Sequence, residues 1–140
     1  MPRLSTRTLI AFAGVLCVAL GGSSLLSQQP GAAAPASAIK NPVAPTEKSI
    51  DSGRKLFEQY CKPCHGPDAT GNGPLAGKDI HPPNLVDDEW ANGPTDGEIF
   101  SNIRNGIGPN FDMKSWKSRM TATDIWNVVN YLRSRGSKSG

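Results

Sequence analysis

The residues with chemistry in them are Cys61-Lys62-Pro63-Cys64-His65. Two thiols three residues apart, followed directly by an imidazole, have the C-x-x-C-H spacing of covalent c-type haem attachment. Each thiol of Cys61 and Cys64 can add to one haem vinyl group, and the two thioethers fix the edge of the ring. The next residue, His65, then falls beneath the metal and supplies one axial nitrogen to the iron. Two other chemistries use a C-x-x-C pair: a redox dithiol and half of a zinc site. A redox dithiol asks for a βαβ context, which the chain lacks. A zinc site asks for two further ligands at short spacing, and the remaining candidates are His81 and Cys17, the latter inside an apolar leader.

With His65 on one face of the iron, the other face is filled or open. Met113, Met120 and His81 are the available donors. Met120 directly precedes the cap residue Thr121 and sits where a hydrophobic staple would pack against Ile125. Met113 belongs to no helical stripe and lies in a Gly/Pro loop, which can bring a thioether to a metal, so it is the favoured second ligand. His81 sits in a proline-flanked loop better placed on the His65 side. In that loop, Ile80-His81-Pro82-Pro83-Asn84-Leu85, a proline carbonyl, that of Pro82, is the candidate acceptor for the Nδ1–H of His65. Such a bond fixes the imidazole tautomer and strengthens the ligand. Filling both axial positions favours one-electron transfer over substrate chemistry, and a thioether ligand raises the reduction potential.

Three helices are expected to position these groups. Ser49 is read as the N-cap of the first, with Asp51 in its first turn. Gly53, Phe57, Tyr60, Cys61 and Cys64 then recur on one face. Thr95-Asp96-Gly97-Glu98 is a capping box that opens a short helix carrying Ile99, Phe100 and Ile103, and Gly106 ends it. The last helix opens at Thr121 with Asp124 three residues on, and its inner stripe is Ile125, Val128, Val129 and Leu132. From Gly66 to Pro94, ten of 29 residues are Gly or Pro. A loop of that composition becomes ordered by wrapping a buried cofactor that supplies the apolar surface it lacks. No segment reads as a strand.

The 140-residue chain has room for one small domain. Residues 1–28 read as a signal peptide or N-terminal membrane anchor: Arg3 and Arg7 precede an apolar run from Ile10 to Leu20. Residues 29–47, rich in Ala and Pro, read as a flexible linker without structure. The domain is assigned to residues 48–137, exported to the periplasm or held at the outer face of the bacterial cytoplasmic membrane. The formal net charge is +3, but part of it belongs to the leader, and nothing in the balance argues for nucleic acid. Residues 41–100 hold 5 basic and 10 acidic side chains, whereas residues 101–140 hold 7 basic and 2 acidic. Such segregation suits an oriented docking surface.

From Ser49 to Arg135 the chain resembles the class I c-type cytochromes. The matching residues are Gly53-x-x-x-Phe57, Cys61-Lys62-Pro63-Cys64-His65-Gly66, Gly71-Asn72-Gly73-Pro74, Asp96-Gly97-Glu98-Ile99-Phe100, Met113-Lys114-Ser115-Trp116 and Asp124 to Arg133. The chain departs from the family at Lys114, where a Pro usually follows the ligand Met. The resemblance implies an all-α, small cytochrome c fold, with three core helices around a covalently bound haem. It implies that Gly53 and Phe57 meet Leu132 and Tyr131, that Met113 is the distal ligand and that Trp116 lies near the haem propionates. The implied function is a one-electron carrier that uses haem c and iron, with redox proteins as partners. Two alternatives remain open: a cytochrome subunit of a membrane or periplasmic oxidoreductase complex, and a five-coordinate haem enzyme or gas sensor.

Overall fold

The structure is a computed structural model that describes residues 34–77, 81–109 and 113–136. The leader and its apolar run lie outside the described residues. Helix α1 is Glu47–Tyr60, α2 is the single turn Lys62–His65, α3 is Asp96–Asn105 and α4 is Ala122–Ser134. Among the described residues there is no strand, only an isolated antiparallel bridge between Ile107 and Met113. No described helix is long and apolar enough to cross a membrane.

The helix boundaries follow from local chemistry. The expected capping box forms, with Thr95 exchanging bonds with Glu98, and Thr121, the expected start of the last helix, exchanges bonds with Asp124 in the same way. Each satisfies orphan N–H groups of a first helical turn. The start of α1 differs from the expectation. Thr46, not Ser49, is the N-cap, and its side chain accepts from the Ser49 N–H at 3.2 Å. Ser49 is instead buried, donating from Oγ to Asn127 Oδ1 at 2.6 Å and accepting from Asn130 Nδ2 at 2.9 Å. Both residues are good caps by type, and the burial of Ser49 against α4 decides between them.

The segment expected to lack structure also departs from that reading from residue 36 onward. Ala36–Ala38 forms a 3-10 turn that packs on α3, where a Cβ on Gly97 would lie 1.9 Å from the Ala36 carbonyl oxygen. Asn41 donates to Asn130 Oδ1 at 2.8 Å, and Asn130 donates in turn to the Val43 carbonyl at 3.0 Å. These side chains are distant in sequence, so composition alone could not reveal the docking.

The core is the contact of α1 with α4, closed on one side by α3. Phe57, Ile125, Val128 and Val129 are its largest fully buried side chains. The expected meeting of Gly53 and Phe57 with the last helix is present in part. The Phe57 and Tyr131 rings sit 5.4 Å apart, and Gly53 faces the backbone of Asn127 and the Cβ of Tyr131. A Cβ on Gly53 would fall 1.9 Å from the Asn127 carbonyl oxygen, a contact no side-chain rotation can relieve. The helix-propensity cost of a mid-helix glycine, about 1 kcal/mol, is outweighed by this close approach. Gly53→Ala, which would improve an isolated helix, is therefore expected to destabilise the domain by about 1–3 kcal/mol. Denaturant unfolding of the haem-loaded protein checks it, and an unchanged or higher midpoint would contradict the packing.

Candidate haem site

Helix α1 ends where the motif begins. Cys61 is its C-cap, with its N–H on the Phe57 carbonyl at 2.8 Å, and the Cys61 carbonyl accepts from Cys64 and His65 as α2 turns. The following loop comes back over this turn. Gly71, Gly73 and Leu75 donate to the carbonyls of His65, Cys64 and Pro63 at 2.8, 3.0 and 2.7 Å. The carbonyls that a helix end leaves orphaned are thus satisfied by the Gly/Pro loop, and the motif is held in one conformation. Ala69, wholly buried at φ 64°, accepts from Leu85 at 2.8 Å and ties the far end of the loop to it.

Cys61 is buried and Cys64 half-buried, and no disulfide joins them. Burial, with a smaller contribution from Cys64 beside it, pushes the Cys61 pKa up to about 12. Reactive dithiols and zinc thiolates require the opposite shift. A buried sulfur that resists ionisation suits an uncharged thioether. Among the described residues no group of three or more His, Cys, Asp or Glu side chains comes together to hold a metal ion. His81 is exposed.

His65 is buried, and burial lowers its pKa, partly offset by the backbone of Pro83. That keeps the imidazole in the neutral form a metal requires. A proline has no N–H, so the Pro83 group involved is its carbonyl. Nδ1 is a buried atom without a completed hydrogen bond. The Pro82 carbonyl faces elsewhere: a Cβ on Gly71 would lie 2.1 Å from it. The backbone that influences His65 is that of Pro83, one residue beyond the expected Pro82. In a stretch of two adjacent prolines only tertiary packing selects the carbonyl. A buried imidazole held in its neutral form is able to serve as a metal ligand. The thiols, the neutral imidazole and its carbonyl neighbour fit a covalently attached haem.

The Met113 loop is built on the end of α3. Ile107 donates to the Met113 carbonyl at 2.9 Å, Trp116 to the Ile103 carbonyl at 3.1 Å and Lys117 to the Arg104 carbonyl at 3.2 Å. Ser115 Oγ donates to the same Arg104 oxygen at 2.8 Å. Gly106, at φ 79°, makes this possible, because a Cβ there would meet the Met113 carbonyl oxygen at 2.6 Å. The sequence marks Gly106 as a helix stop. Its second role, admitting the Met113 loop, depends on a residue seven positions away. Met113 and Trp116 are half-buried against the core, and the Trp116 ring lies 5.5 Å from that of Tyr60, next to Cys61. Met120 is fully packed in the core at 4 % exposure.

The family model for cytochrome c oxidase, cbb3-type, subunit III matches residues 48–132. The chain belongs to that family. It is 32% identical over 94 residues to the cbb3-type cytochrome c oxidase subunit FixP of Bradyrhizobium sp. (strain ORS 278), covering 66% of this chain and 30% of that protein. It is 36% identical over 88 residues to FixP of Azorhizobium caulinodans, covering 59% and 28%. The chain thus spans less than a third of the length of these relatives. Among solved structures, cytochrome cL of Methylophaga aminisulfidivorans superposes with a TM-score of 0.52 at 26% identity, over 63% of this chain and 53% of that one. The reducing HAO-like protein complex of Kuenenia stuttgartiensis shares the fold, with a TM-score of 0.63 at 23% identity over 79% and 52%. The domain is a class I c-type cytochrome, all-α, and its cofactor is haem c.

Attachment rests on two thioethers. Replacing Cys61 and Cys64 together with Ala should leave haem extractable by acidified organic solvent and the domain poorly folded. Covalent haem retained in the double variant would contradict the assignment.

Proposed function

We propose that this domain is a one-electron carrier with His65 and Met113 as axial ligands. The haem, when bound, supplies a single-electron iron couple. The chain's residues hold and shield it. Cys61 and Cys64 tether the ring, and the 71–75 loop braces His65 from behind through its backbone bonds. The bonds from Ile107, Ser115, Trp116 and Lys117 hold Met113 by the last turn of α3. Two features support the reading: a buried His65 whose burial favours the neutral form, and a thioether, Met113, on a loop fastened by backbone bonds. Two protein ligands leave the iron no open position, so the domain passes electrons and is not itself a catalyst. Trp116, tilted against Tyr60, is assigned to the propionate side of the ring.

The similarity to cbb3-type oxidase subunits supports a second, finer reading. Here the domain is an electron-entry module of a terminal oxidase, not a freely diffusing shuttle. Under either reading the leader sends the domain to the periplasmic side, anchored or released, where its donors and acceptors are redox proteins. A five-coordinate enzyme or sensor would leave Met113 without a task.

The ligand assignment separates two methionines. Met113→Ala should abolish the far-red sulfur-to-iron absorption band of the ferric protein, lower the potential and allow carbon monoxide to bind the ferrous form. Met120→Ala should keep the band and cost about 2–5 kcal/mol of stability. Loss of the band with Met120 and not with Met113 would reverse the assignment.

A further inference from the structure

Of the described cations three are paired, four gather at the Met113 loop, and Lys40, Lys48, Lys62 and Arg135 lie outside both groups. Arg54 and Lys55 pair with Asp51 and Glu58 along α1, and Arg133 pairs with Asp96 at 2.7 Å between α4 and α3. Arg104, Lys114, Lys117 and Arg119 are all exposed, and no ion pair reaches any of them among the described residues. The fold brings these four together. Lys117 donates through its backbone to the Arg104 carbonyl, and Ser115, next to Lys114, donates to the same oxygen. Arg119 follows in the same turn, with its N–H on the Trp116 carbonyl at 2.9 Å. The nearest described carboxylate along the chain, Asp124, is committed to the N–H and hydroxyl of Thr121. Met113 and Trp116, half-buried, belong to the same stretch of loop.

We infer that Arg104, Lys114, Lys117 and Arg119, around Met113 and Trp116, form the docking face for an acidic redox protein. This rests on the electron-transfer reading and names the kind of partner it needs. Methionine, tryptophan and arginine are residue types enriched at protein interfaces. Unpaired cations around them attract an oppositely charged partner and raise its encounter rate. A lipid surface carries negative charge as well, but it can neither donate nor accept an electron. The face therefore fits a protein. One electron crosses between the haem and the partner's metal, and no bond is made or broken.

The test uses the haem-loaded protein, reduced with ascorbate and mixed rapidly with three oxidants: ferricyanide, tris(phenanthroline)cobalt(III) and an acidic blue-copper protein. The anion and the acidic protein should react fast at low salt and slow as salt rises, since charges are screened over about 8 Å at physiological ionic strength. Reversing all four cations (R104E, K114E, K117E, R119E) should slow both by roughly tenfold or more at low salt. The cobalt cation should speed up, and the visible spectrum should stay unchanged. If the quadruple variant fails to load haem, Lys117→Glu alone should show the same directions with smaller size. A control reversal, Lys48→Glu, lies about 20 Å along α1 from Cys61 and should leave the three rates unchanged. Rates insensitive to salt and to the reversal would overturn the inference. So would sedimentation with phosphatidylglycerol vesicles without any salt-sensitive rate toward the acidic protein, which assigns the face to a membrane. Failure of ascorbate to reduce the haem, or of ferricyanide to oxidise it, would instead overturn the electron-transfer reading itself.

Discussion

The approach of α1 to α4 at Gly53 is the contact on which everything else depends. The missing side chain lets the α1 backbone lie against the Asn127 carbonyl, and Phe57 then reaches Tyr131 one turn further on. Cys61 follows on the same helix, about 12 Å from Gly53 at 1.5 Å per residue. A helix held that tightly aims its C-terminus, so the position of the first thioether sulfur is set by a glycine two turns away. A domain this small buries a thin core, and a cofactor bonded at the end of α1 extends that core.

Polar groups complete the same contact. Asn130 is buried yet donates to the Val43 carbonyl and to Ser49 Oγ, while its own oxygen accepts from Asn41. Unpaired, such an amide would cost about 1–3 kcal/mol. Paired, it selects one docking of the 41–46 segment and not another. The price of that specificity is a polar core position where an aliphatic residue would pack as well.

The segments that carry His65 and Met113 are stabilised in the same way, by loop donors that satisfy helix-end carbonyls. At α2 the donors come from Gly71, Gly73 and Leu75; at α3 they come from Trp116, Lys117 and the Ser115 hydroxyl. Each helix end has orphan acceptors in any case, so using them to fasten His65 and Met113 costs little beyond ordering the loop. Loops rich in Gly and Pro suit this task, because their chains can approach a carbonyl closely.

Local chemistry was legible in the residues. The C-x-x-C-H spacing names the cofactor, and Thr95/Glu98 and Thr121/Asp124 open α3 and α4 where their capping boxes stand. The inner stripe of α4 is the buried one. These features act within a few residues, so short patterns record them. What tertiary structure decided lies between residues far apart in the chain. Thr46 caps α1 because Ser49 is taken by Asn127 and Asn130. The backbone of Pro83, not of Pro82, influences His65, while the Pro82 carbonyl lies against Gly71. Residues 36–46 join the fold because Gly97 and Asn130 offer a surface and a partner that composition cannot display. Arg104 meets Lys117 only because α3 ends where the Met113 loop returns. Hydrogen bonds and steric contacts act on distance in space, and one sequence read in order holds no record of which distant residues the packed helices bring within 3 Å.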